Sequence, residues 1–193
     1  MKNLLYLSIV ALVLVACGDE PKKDPISDAD KSYVTEVPSA DVLREGIEML
    51  EDSIMRMSQS QEDVRKQLPN LTRQALIEKA LLLYRSYPGD KDAAACLDKV
   101  HMTYSAMNAY TLAAKYADTL IEKYPKYEHR ARVIESVASH YDYFVKPWDA
   151  EKVKSYYELL LKDYPNLTEE KKADVQFRLD NMDLTLEELM AKQ

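Results

Sequence analysis

The chain has 193 residues and a formal net charge of −7, from 26 basic against 33 acidic side chains. That sign disfavours a general nucleic-acid binder, which must neutralise phosphates with Lys and Arg. Only three glycines, with abundant Ala, Leu, Glu and Lys, point to an all-α protein, since strands joined by tight hairpins call for more glycine.

The first segment carries Lys2, then a mostly apolar run from Leu4 that ends in Leu14-Val15-Ala16-Cys17. A charged start, an apolar core and a small residue before a cut site are the parts of a secretory signal, and the run is too short to span a bilayer as a helix. With the cysteine directly after the small residue, the segment resembles a bacterial lipoprotein signal with its lipobox. The resemblance implies that residues 1–16 are removed and that Cys17 takes a thioether-linked lipid and becomes the mature N-terminus. It further implies an outer-membrane location, facing either the periplasm or the outside. Residues 17–38 are charged, hold Pro21, Pro25 and Pro38, and lack apolar periodicity, so they read as a flexible tether.

From Ser39 the period becomes helical, with Leu43, Ile47, Leu50, Ile54 and Met57 at alternating steps of four and three. Ser39 and Asp41 supply capping chemistry. This helix either packs on the repeat helices or seeds a short coiled coil, although two heptads fall short of a firm coiled-coil pattern.

An internal repeat comes next, marked by Tyr87-Pro88, Tyr124-Pro125 and Tyr164-Pro165 at spacings of 37 and 40 residues. The helix before each dipeptide carries apolar residues at matching offsets: Leu76, Ala80 and Leu83, then Ala113, Ala117 and Leu120, then Val153, Tyr157 and Leu160. Upstream, Leu97, Val100, His101 and Tyr104 map at a constant 37 onto Ile134, Val137, Ala138 and Tyr141. The unit is therefore a helical hairpin, which buries its apolar faces only by stacking on neighbours. Proline cannot continue a helix and pushes the residue before it out of the helical region, so each Tyr-Pro is a stop signal. The predicted hairpins cover about residues 39–88, 90–125 and 127–165. Residues 167–193 form a cap whose outer face is read as Glu169, Glu170, Lys171, Lys172 and Arg178, with Thr185 and Glu188 as a capping box.

The run Leu97, Val100, Tyr104, Ala113, Leu120, Pro125 resembles the tetratricopeptide repeat signature. Over residues 40–193 the chain is also similar to small bacterial repeat lipoproteins that end in Ala-Asp-x-x-Phe-x-Leu before an acidic helix, here Ala173-Asp174, Phe177, Leu179 and Glu187-Glu188-Leu189. The resemblance implies a right-handed solenoid of hairpins. Two departures stand out: His101 where the family has a small residue, and Ala117 where it has an aromatic one. In that family the first helix of each hairpin lines a concave groove. Projected here, the register places Asp98, Met102, Ser105, Arg132, Glu135, Ser139, Asp142 and Tyr143 in the groove as partner-binding candidates.

Catalytic and metal motifs are sparse. His101, His129 and His140 lack the i, i+4 pairing of a helical zinc site, and no nucleophile elbow, phosphate loop or Cys-x-x-Cys occurs. Cys96, within an alanine run and without cationic neighbours, reads as a small packed side chain. The tyrosines read mainly as core with hydroxyls at the rim, against a tyrosine-rich binding groove. No cofactor, metal or nucleic acid is expected. The partners expected are the membrane, through Cys17, and an unidentified envelope protein or peptide. The favoured function is a non-catalytic scaffold. The alternatives are a structural subunit of an outer-membrane assembly or transport complex, docked through helix faces, and an enzyme.

Overall fold

After Pro38 the polypeptide turns into a helix, and the Val42 amide in its first turn donates to Ser39 Oγ at 3.4 Å. The computed structural model describes residues 36–59 and 68–191. The predicted lipobox, Cys17 and nearly all of the predicted tether lie outside the described residues. Among the described residues the secondary structure is helical throughout: α1 Ala40–Gln59, α2 Leu68–Ser86, α3 Ala93–Ala106, α4 Tyr110–Lys123, α5 Arg130–Ser139, α6 Ala150–Asp163, α7 Glu169–Asp180 and α8 Leu186–Ala191. A π turn, His140–Phe144, extends α5. The protein is all-α, as its composition predicts.

Each helix packs mainly against its neighbours in chain order, from α1 through α7. The helix at 40–59 lies against α2 rather than standing apart: Leu43 and Ile47 share one core with Leu76, Ile77, Ala80 and Leu83 of α2 and with Cys96 and Val100 of α3. A second core gathers Leu97, Ala114, Ala117, Leu120, Val133, Ile134, Val137, Ala138, Val153 and Leu160. Ala80, Ala113, Ala117 and Ala138 are fully buried, as helices in close approach require.

The Tyr-Pro stops behave as the stereochemistry demands. Tyr87, Tyr124 and Tyr164 each give a last helical N–H to Leu83, Leu120 and Leu160 respectively. The backbone then leaves the helical region, at φ −125°, ψ 67° for Tyr124 and φ −128°, ψ 67° for Tyr164. Two of these tyrosines tie the end of their hairpin back to the proline that precedes it. Tyr87 Oη donates to the Pro38 carbonyl at 2.9 Å, and Tyr124 Oη reaches the Pro88 carbonyl at 3.4 Å.

The loops opposite the Tyr-Pro ends differ from one another. Between α3 and α4 the chain turns at Asn108, whose φ of 59° asparagine tolerates better than most residues. Its counterpart after α5 is the π turn, closed by Val145 N–H to His140 O at 2.9 Å. From there the segment runs through Trp148 to the α6 cap, where Asp149 accepts from Lys152 N–H at 3.0 Å. Helices α3 and α5 start 37 residues apart and α4 and α6 start 40 apart, and the difference is taken up by the π turn and the 145–149 segment.

The cap corrects the expected outer face at two residues, Lys171, which turns to Glu135 instead, and Arg178. Lys172 pairs with Glu169 on the surface, and Thr185 and Glu188 form the expected reciprocal capping box. Arg178 is not on the outer face. It is buried and paired with Asp142, because a guanidinium at that helical position meets a carboxylate brought inward by the π turn.

Candidate functional site

The groove candidates come from α3 and α5, each the first helix of a hairpin, and from the π turn after α5. They do not form one uniform surface. On α3, Asp98 is only 5% exposed and accepts from Tyr127 Oη at 2.8 Å. Arg132 of α5 lies over it as an ion pair, and its second guanidinium nitrogen reaches Met102 Sδ at 3.2 Å. Arg132 and Met102 stay exposed, so they form a rim over the carboxylate. Asp98 itself is a holding group rather than a groove surface.

Ser105 turns inward as well. Its hydroxyl is hydrogen-bonded to His140 Nε2 at 3.0 Å. The imidazole of His101 lies beside that ring at 5.3 Å between centroids. His101 Nδ1 faces the Ala113 carbonyl at 3.0 Å and must donate to it, so Nε2 accepts from Ser136 Oγ at 3.1 Å. Both histidines are buried, and His140 Nδ1 has no partner. Burial holds His101 below its ordinary value; burial and the neighbouring His101 lower His140 to about 4. Lacking i, i+4 spacing, these histidines show no pairing in the local sequence pattern. The 37-residue register that aligns α3 with α5 sets them in neighbouring turns, and that register was the available signal.

Asp142 is 2% exposed, which removes it from the groove surface. Its two oxygens accept from Arg178 Nε and Nη2, both at 2.7 Å, and Trp148 Nε1 adds a third bond at 3.2 Å. A π turn holds one more residue than an α turn. Here it accompanies an inward Asp142, while Tyr143 and Phe144 remain half-exposed.

The remaining candidates do converge. Glu135, Ser139 and Tyr143 line a cavity of about 320 Å³ whose other walls come from Tyr157, Phe177, Leu186 and Leu189, with Lys171, Asp174 and Arg178 contributing charge. Glu135 is ion-paired with Lys171, and Ser139 Oγ is turned back onto the Glu135 carbonyl at 3.0 Å. Three of the eight candidates thus share a concave surface with apolar walls and a few polar groups, the usual make-up of a binding site.

A regular pattern of charge runs along these first helices. Glu51 of α1 pairs with Lys99 of α3, Asp98 of α3 with Arg132 of α5, and Glu135 of α5 with Lys171 of α7. Each acid meets a base two helices further on. The second helices are joined differently. Asp118 of α4 accepts from Tyr141 and Tyr156 and pairs with Lys152 of α6. The rings of Tyr141 and Tyr156 stack at 5.8 Å, as Tyr104 and Tyr116 do one repeat earlier at 5.6 Å. Most of the tyrosines read as core are half-buried in this way.

Cys96 is 2% exposed, and burial raises its thiol to about 11, so it is a packed side chain rather than a nucleophile. Among the described residues no cluster of three or more His, Cys, Asp or Glu is placed to hold a metal ion, and no helix is long and apolar enough to cross a membrane. No protein-family model matches the chain, and no curated protein does.

Proposed function

We propose that this protein is a non-catalytic, lipid-anchored scaffold of the bacterial envelope that captures a protein or peptide in a helical-repeat groove. In this reading Cys17 holds the chain to the outer membrane and residues 17–38 act as the tether. The hairpins from residue 39 onward form a right-handed solenoid of the tetratricopeptide type. The observation that carries it is the cavity bounded by Glu135, Ser139 and Tyr143 of one repeat and by Phe177 and Leu189 of the cap. Tyr143 and Phe177 are 48% and 50% exposed there, and half-exposed aromatics in a concavity are the side chains that anchor partners.

The second reading, a structural subunit docked through its helix faces, draws support from a different surface. Val42 and Met49 stand seven residues apart on α1 and are exposed, as is Met55. That spacing puts Val42 and Met49 on one side of the helix, away from the buried Leu43 and Ile47.

A photo-crosslinking amino acid placed at Tyr143, and separately at Met49, in the intact organism separates the two. Capture of one protein or peptide from Tyr143, identified by mass spectrometry, supports the groove. Capture from Met49 with none from Tyr143 supports docking through the helix face and overturns the groove.

A further inference from the structure

Among the described residues, the acid–base series along the first helices includes one carboxylate with no base, Asp174. Asp174 follows Glu135 by 39 residues, as Lys171 follows Arg132 by 39 and as the start of α7 follows the start of α5. Asp174 is thus the α7 equivalent of Glu135 and, one repeat earlier, of Asp98. Those two carboxylates each hold a Lys or Arg delivered by the helix two further on. Among the described residues no such helix comes after α7. The chain instead turns at Asn181 and Leu184 into the short α8. Lys171, one turn away on α7, is already engaged by Glu135. Asp174 is exposed and lines the same cavity as Tyr143, Phe177 and Leu189.

Charge counting around the cavity points the same way. Glu135 and Lys171 neutralise each other, as do Asp142 and Arg178. Asp174 is left as the uncompensated charge among the described residues that line the cavity. A cationic group arriving there gains an ion pair at a half-enclosed, partly apolar edge, where attraction is screened less than in open water.

Resting on the groove reading, we infer that this site receives a polypeptide segment in which a Lys or Arg stands beside a large apolar side chain. The base completes the series at Asp174, and the apolar side chain enters between Tyr143, Phe177 and Leu189. The acidic chain as a whole, at −7, also favours a basic partner in the encounter.

The test uses the full-length protein in detergent and a phage-displayed library of random dodecapeptides as the probe. Clones selected on the native protein are expected to carry Lys or Arg within a few residues of Phe, Trp, Leu or Met. Asp174→Lys is expected to invert that preference toward acidic clones. Phe177→Ala is expected to weaken the native clones by about tenfold or more with an unchanged unfolding midpoint. Selected clones without basic enrichment, or a basic preference that survives Asp174→Lys, overturn the inference. If a partner crosslinks from Tyr143 in cells but its capture ignores Asp174→Lys and Phe177→Ala, this inference fails while the groove stands. Capture from Met49 alone removes both.

Discussion

Arg178 and Asp142 form a two-pronged ion pair, at 2.7 Å on both arms, between the cap helix and the π turn of the preceding repeat. The same guanidinium donates to the carbonyls of Asn181 at 2.8 Å and Leu184 at 3.0 Å. One side chain therefore ties α7, the turn before α8 and the end of α5 together. The hydrogen bonds to Asp142 are the main reason its guanidinium is held above the ordinary arginine range.

Breaking a buried pair from one side leaves the other charge stranded, which costs about 3–5 kcal/mol. Arg178→Met and Asp142→Leu are each expected to lose stability on that scale in urea unfolding. The double substitution should cost clearly less than their sum, because no charge is then left alone. Additive losses would show that the two side chains act independently.

Leu97, Leu120, Ile134 and Leu160 are fully buried between helices. Replacing any one with alanine is expected to cost ~2–5 kcal/mol through lost contacts and the cavity left behind. Lys172→Ala removes only a surface pair with Glu169 and should stay within about 0.5 kcal/mol. Equal losses in the two groups, by denaturant unfolding, would contradict the packing.

The buried histidine pair makes stability fall in mild acid. His140 titrates at about 4 in the folded chain against an ordinary 6.5, so below pH 6.5 the unfolded chain binds a proton that the folded chain refuses. Stability from this group is complete above pH 6.5 and is lost as pH falls toward 4. About 2 kcal/mol of that loss lies between pH 7 and 5. His101, lowered in the same direction, adds to the trend. Unfolding measured at both pH values in the native chain and in His140→Phe should show a shallower drop in the variant. An identical drop would assign the acid sensitivity elsewhere.

The proposed lipid anchor is open to a direct check. Cys17→Ser removes the thiol that lipidation of a lipobox requires, so the variant should lose acyl mass and partition out of the detergent phase. A native protein without acyl mass on intact-mass measurement would defeat the lipoprotein reading.

Local physics made much of the fold legible from sequence. Apolar residues at helical spacing, small side chains at matching offsets and proline after each tyrosine act within a few residues of one another, so the helices ending at Ser86, Lys123 and Asp163 were readable from the chain alone. The groove register implied by the family resemblance named Glu135, Ser139 and Tyr143 among eight candidates, and these three line one cavity. Burial of charge was not readable in this way, because Asp98, Asp142 and Arg178 look like surface residues until their partners, 34 and 36 residues away, arrive beside them. Only packing of α3 against α5 brings Arg132 over Asp98, and only the π turn sets Asp142 against Arg178. Packing decided the histidines too: two imidazoles 39 residues apart in sequence share a buried contact because the 37-residue repeat aligns their helices. The sequence thus determined where the helices lie. The tertiary structure decided which charged and titratable side chains leave water, since that depends on compensation by groups distant in the chain.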